Sequence, residues 1–510
     1  MTQPLNQNQN KNQDQDQDQN QNQNQNHKGK NPILKKVITL AVALAMLILA
    51  IKIPLPASIL QAGDVPLTPV GRTALGVLLF SLVLWVTEAI PFHMTGLLGI
   101  FLLALLGVDK FTNIVKIGFG NDIVIFFLGV LILSSYISRS GFGKRISLFI
   151  LSKTGNSTAM ILLGFLVAGC LISMWITDMA VAAMLMPLAR AILKEEGLRP
   201  LESRFGRALL IACAWGPSIG GIGTPAGAGT NPLAIGFLKS MAGIDITFLK
   251  WMLYGVPAAL LLIPPTWAVL MLFFRPELKR LSKTREEMQA EFRNLPRMDR
   301  EEKVTVFVFM VTVALWITSP MLGRMLGIDI PISMPAILTC VLFFLPGMSR
   351  IRWKEIEPDI SWDGILLILA GISIGMMLYN SGAAKWLSLL LLGGIGNLHP
   401  FLLILAVVLI VSLLKVGLSS NTVTAAIVIP IVISMAQGMN LSVMAVALPA
   451  GITASVALVL VTSTPTNVIP YSAGYFTIGD MARAGSVLTL IASLVLAAVI
   501  YVIGGLTGVY

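Results

Sequence analysis

Two ionisable residues stand where such residues are rare. Asp178 and Lys415 each interrupt a run of otherwise apolar side chains. A charge inside such a run is costly unless it faces a partner or a wet cavity, and residues of this kind mark ion and substrate pathways. Asp178 belongs to a short polar tip, Thr177-Asp178-Met179, and Lys415 lies five residues before a second one, Ser420-Asn421-Thr422. Two more apolar spans are broken by small and polar residues, SIGGIGTPAGAGTN at 218–231 and TSTPTN at 462–467. Hydroxyls, amides and backbone groups freed by a break bind solutes without transforming them: half-helix N-termini take anions and free carbonyls take cations. An enzyme is not expected. No HExxH, GxSxG or GxxxxGK[ST] pattern occurs, and the chain has only 3 histidines from which to build a hydrolase.

The elements that must position these residues are membrane helices. Of 510 residues, 55% are hydrophobic and 12% charged, and the mean hydropathy is +0.82, beyond what a soluble domain can hide. Apolar runs predict spans near 33–53, 74–90, 93–108, 121–138, 206–238, 251–274, 304–322, 331–346, 361–379, 441–475 and 485–507. Two further segments, 157–193 and 400–435, read as re-entrant hairpins with the polar tips at their turns. The net charge of +11 sits in short clusters between apolar segments, which points to positive cytoplasmic loops and not to nucleic acid. Cys170, Cys213 and Cys340 all lie in apolar stretches, so neither a disulfide framework nor a CxxC metal site is indicated. The Asn/Gln-rich residues 1–30 read as a disordered tail.

With the N-terminus placed in the cytoplasm, the loops holding Arg139, Lys144, Arg145, Arg190, Lys194, Arg199 and the mixed-charge stretch 275–303 fall on the same side. The C-terminus then lies outside, in a multi-pass protein of the cell membrane. An internal repeat supports this layout. TDMAVAAMLMP (177–187) lines up without gaps on SNTVTAAIVIP (420–430), pairing Ala182 with Ala425, Ala183 with Ala426 and Pro187 with Pro430. SGFGKRISL (140–148) lines up on SGAAKWLSL (381–389) at nearly the same offset. The hairpins open to opposite sides, so the halves are related by inversion, as in many secondary transporters. The fold class is therefore an all-α polytopic membrane protein with two inverted repeats, two re-entrant hairpins and two broken helices. Its parts are the tail 1–30, scaffold helices 31–110, a first repeat 111–275, a charged cytoplasmic linker 276–303, scaffold helices 304–360 and a second repeat 361–510.

WVTEAIPFHMTGLL (85–98), MWITDMAVAAMLMP (174–187), SIGGIGT (218–224), SSNTVTAAIVIP (419–430) and TPTNVIPYSAGYF (464–476) together resemble the divalent-anion/sodium symporter family of dicarboxylate, citrate or sulfate carriers. The resemblance covers nearly everything after residue 70. It implies an elevator-type carrier, in members that are typically homodimers, whose two Ser-Asn-Thr tips hold substrate carboxylates and sodium ions together. Substrate contacts would then come from Thr177, Asp178, Asn231, Ser420, Asn421, Thr422, Thr464, Pro465 and Asn467. Sodium ligands would come from Ser173, Thr177, Asp178, Gly223, Ser420, Asn421 and Ser463. No cofactor is implied beyond the coupling ion, and the partners are the anion, sodium or protons, and lipid.

The second tip fits the family pattern intact, and the first departs from it. Thr177 keeps a hydroxyl, Asp178 replaces an amide with a carboxylate, and Met179 loses the last hydroxyl. Asp178 is open to three roles: a strong-field cation ligand, a proton acceptor that couples transport to pH, or a cap on the helix that follows. Lys415 is open to four: standing where a sodium would sit, neutralising the anionic substrate, pairing with Asp178, or snorkelling to the surface. A sodium-coupled anion symporter is the expected function, with a sodium-independent exchanger or proton-coupled carrier using Asp178 and Lys415 as the alternative.

Overall fold

The computed structural model describes residues 32–54, 56, 60–62, 65–392, 394 and 398–509. The tail expected to be disordered lies outside them. In hydrocarbon a backbone must satisfy its own N–H and C=O groups, so apolar runs become helices, and among the described residues 9 helices are long and apolar enough to cross a bilayer. The chain begins with α1 (Pro32–Lys52), α2 (Pro69–Thr87), α3 (Phe92–Leu105) and the short α4 (Phe111–Phe119). The most exposed side chains include Leu413, Met325 and Leu506, an apolar exterior suited to lipid.

Seven helices then follow in an order that recurs later. They are α5 (Asp122–Arg139), α6 (Phe142–Leu151), α7 (Thr158–Ser173), α8 (Asp178–Glu195), α9 (Arg204–Gly220), α10 (Thr230–Ala242) and α11 (Phe248–Phe273). Between the two sets come α12 (Arg285–Arg293), α13 (Arg300–Leu326), α14 (Ser333–Phe344) and α15 (Trp353–Ile356). The second set is α16 (Trp362–Asn380), α17 (Ala383–Leu392), α18 (Pro400–Gly417), α19 (Asn421–Gly438), α20 (Val443–Ser455), α21 (Pro465–Tyr471) and α22 (Ile478–Leu506). Lengths of 18, 10, 16, 18, 17, 13 and 26 residues are answered by 19, 10, 18, 18, 13, 7 and 29.

The repeats are inverted. Arg139, the last residue of α5, is bonded to Asp359, which precedes the start of α16, so the leading helices of the two sets run in opposite directions. The cation-rich loops gather at that same end: Arg145 meets Glu302 at 2.7 Å, Lys283 meets Glu195 at 3.5 Å and Arg207 meets Asp480 at 3.6 Å. Glu302 also completes the capping box of α13 with Asp299. The aligned SGFGKRISL and SGAAKWLSL segments, too polar to be read as spans, form the ten-residue α6 and α17, which lead into the hairpins.

Hairpins α7–α8 and α18–α19 pack against the broken pairs α9–α10 and α20–α21. Small residues permit the approach: a Cβ at Gly220 would collide with the Cys170 carbonyl of α7, and one at Gly485 with the Leu458 carbonyl of the second break. The breaks leave carbonyls that a buried site must pair. One is taken by the Trp251 indole of α11, which donates to Ile222 O at 3.0 Å.

Candidate functional site

At the first tip, the turn 174–177 carries the chain from α7 into α8. Asp178 opens α8: its N–H donates to Gly227 O at 3.3 Å, and its Oδ1 accepts the Met179 N–H at 2.9 Å. The Thr177 N–H is 3.4 Å from Ser134 Oγ of α5, which anchors the tip to the next helix. At the second tip, Ser420 caps α19 by accepting the Val423 N–H at 3.4 Å. Asn421 bridges outward. Its Nδ2 donates to Ser455 O at the end of α20, at 3.3 Å, and its Oδ1 accepts from Lys415 Nζ.

Both tips and both breaks meet at one cavity of about 840 Å³. Thr177, Asp178, Ser420, Asn421, Thr422, Thr464 and Pro465 line it, so seven of the side chains expected at a site are brought together. The first residues of α8, α10 and α19, namely Asp178, Thr230 and Asn421, all face it. Three helices therefore direct their N-terminal N–H groups and positive dipole ends toward the cavity, a field suited to an anion.

The other candidates lie behind this lining. Asn231 and Asn467 are fully buried and brace the breaks. Asn231 Nδ2 donates to the carbonyls of Gly221 and Thr224, both at 2.7 Å, and Asn467 Nδ2 to those of Ala457 and Leu460, at 2.9 and 3.1 Å. In each case the acceptors are ten and seven residues upstream, one device used twice. Ser455 Oγ donates to Asn231 Oδ1 at 3.2 Å and is bonded to Thr230, joining the two breaks. Ser173 and Ser463 are also buried, and Ser173 Oγ has no hydrogen-bond partner among the described residues. Gly223 packs against Met174 beneath the first tip.

Lys415 is 4% exposed, in the last turn of α18. It does not snorkel. Nor does a direct ion pair join it to Asp178 within 4.0 Å. Expected as substrate contacts, Asn231 and Asn467 each support the backbone through the amide nitrogen. Asn231→Ala would take this donor from the Gly221 carbonyl and leave the Thr224 carbonyl with only the Gly227 N–H, a loss of about 1–3 kcal/mol for a buried group left unpaired. A clear fall in the thermal unfolding midpoint of the detergent-solubilised protein is the expected result, and Asn467→Ala should do the same at the second break; unchanged midpoints would remove the bracing role.

The mouth of the cavity carries residues that motif reading does not flag. Ser134, Ser135, Ser138 and Arg139 form a polar strip on the last turns of α5, and Lys144 and Asp359 stand beside it. Ser135 Oγ donates to Asp359 Oδ2 at 2.6 Å, and the Arg139 guanidinium holds both carboxylate oxygens. Partial burial raises the Asp359 carboxyl, but the hydrogen bonds from Arg139 and Ser135 outweigh it and hold it below the usual carboxylate range. The available signal was the polar spacing in SSYISR at the end of an apolar run.

Three comparisons bear on this geometry. The family described as the sodium:sulfate symporter transmembrane region matches residues 34–507. The sodium-dependent dicarboxylate transporter SdcS of Staphylococcus saprophyticus is 31% identical over 451 residues, 84% of this chain and 86% of that protein. SdcS of Staphylococcus aureus is 31% identical over 449 residues, 84% of this chain and 85% of that protein. Among solved structures, the Alcanivorax borkumensis YdaH transporter is similar with a TM-score of 0.52 at 16% identity, covering 78% of this chain and 88% of that one. Neisseria gonorrhoeae MtrF also gives a TM-score of 0.52, at 13% identity, covering 92% and 95%. At these identities the structural likeness speaks for the fold alone.

Proposed function

Because the chain belongs to the sodium:sulfate symporter family, whose members are transporters and not enzymes, we propose that it moves small dicarboxylates across the membrane together with sodium, by alternating access to one polar cavity. The observation that carries this reading is the meeting of two inverted hairpin tips at a single cavity faced by three helix N-termini. Hydroxyls of Thr177, Ser420 and Thr422, the Asn421 amide and the N–H groups of the helix ends are the donors a carboxylate needs. Sodium offsets the anion's charge, and its gradient drives accumulation.

In this reading the hairpins and broken helices move as one body against the remaining helices, in the elevator manner, and the protein works as a homodimer. The end that gathers the Lys and Arg loops faces the cytoplasm together with the N-terminus, and the C-terminus lies outside. The test is uptake and counterflow of labelled succinate or citrate in proteoliposomes, with sodium or choline outside. Uptake that follows the sodium gradient is expected. Exchange indifferent to sodium would instead favour a carrier that meets the substrate's charge with its own cation, a reading to which the bond from Lys415 to Asn421 lends weight.

A further inference from the structure

The two tips handle positive charge in opposite ways. Lys415 occupies the last turn of the half-helix α18, where unpaired carbonyls and the negative end of the dipole attract a cation. It is buried, and its ammonium group donates to Asn421 Oδ1, an oxygen of the cavity lining. The residue in register at the first tip is Ile172, and the last turn of α7 holds no basic residue. That tip has oxygens in place of a cation: the buried Ser173 Oγ with no partner, and the Asp178 carboxylate. One tip thus brings its own cation, and the other has an anionic oxygen in the cavity lining and, five residues earlier, a buried hydroxyl with no partner.

We propose that Lys415 is a tethered counter-cation that takes the place of a coupling ion at the second tip, leaving the first tip as the sodium site with Asp178 as its anionic ligand. This rests on the symport reading above and deepens it. A tethered ammonium attracts the dicarboxylate as a sodium ion would, but it returns with the empty carrier. It therefore helps binding and adds nothing to the driving force. The carrier moves fewer sodium ions per substrate than one with two free-ion tips, and reaches a shallower accumulation ratio.

The test is the ratio of labelled sodium to labelled succinate taken up by proteoliposomes containing wild type, K415Q or K415R. Glutamine keeps a hydrogen-bond donor for Asn421 and removes the charge, whereas arginine keeps the charge. The ratio should rise by about one sodium ion per succinate in K415Q, matching the charge removed, and stay at the wild-type value in K415R. A K415Q protein that transports at the wild-type ratio overturns the proposal. Should K415Q fold but not transport, succinate-induced thermal stabilisation of the purified protein decides. A sodium requirement raised by about tenfold or more in K415Q alone supports the assignment. An unchanged requirement, or loss of stabilisation in K415Q and K415R alike, defeats it. Wild-type uptake without any sodium dependence would defeat the symport reading itself, a failure visible before any variant is compared.

Discussion

Asn421→Ala is expected to lower sodium-driven succinate uptake by about 100-fold or more, with the protein still folded. The amide holds the second tip at both ends. Its oxygen accepts from the Lys415 ammonium, and its nitrogen donates to Ser455 O, the carbonyl at which α20 gives way to the break. Truncation removes the acceptor from a buried ammonium and detaches the tip from the break. A hydrogen bond to a charged group contributes about 1.5–3 kcal/mol, and every 1.4 kcal/mol is about tenfold in binding, so losing this bond with the neutral one reaches about 100-fold. The unfolding midpoint should fall, because the buried Lys415 ammonium loses this acceptor, but the core of α19 is untouched and the protein stays folded. The check is initial uptake per mass of reconstituted protein beside a thermal melt. Wild-type uptake in this variant would take the second tip out of the transport path.

Much of the fold was legible because the breaks are written in residue types. Gly, Thr and Pro at 218–231 and 462–467 cannot continue an apolar span, and tips with hydroxyl and amide side chains cannot face lipid. The repeat of an eleven-residue segment then gave the inversion. The roles of Asn231 and Asn467 were not legible. An asparagine closing a break is as good a ligand as a brace until the carbonyls ten and seven residues back are seen within reach of its amide. Lys415 had four plausible destinations, and only the fold brings its Nζ to Asn421. The Arg139–Asp359 contact joins residues 220 apart in the chain, a separation that no local pattern bridges. Helices α6 and α17 escaped for the opposite reason: with Lys144, Arg145 and Lys385 among so few residues, they fail a test built on apolar runs.

Asp178→Asn separates the two active roles of the first tip from the bland one. Asparagine keeps an oxygen that can accept the Met179 N–H, now held at 2.9 Å by Oδ1, so the start of α8 stays capped and only the charge is lost. If the carboxylate ligates sodium, the sodium concentration giving half-maximal uptake should rise by about tenfold or more, since hard cations favour anionic oxygen. Protons and sodium then compete for the same group. If the carboxylate takes up protons, a falling pH leaves fewer sites for sodium and the wild type needs more of it. The variant has nothing there to protonate, so its requirement should stay flat as the pH falls. Sodium titrations of uptake at several pH values measure both effects. A variant that keeps the wild-type sodium affinity and pH slope would reduce Asp178 to a cap. The double variant D178N/K415Q carries the reasoning one step further. Were Lys415 present only to balance Asp178, removing both charges would restore wild-type coupling. With the ammonium as a tethered ion, the double variant instead recruits sodium at the second tip as K415Q does, and its ratio of sodium to succinate does not return to the wild-type value.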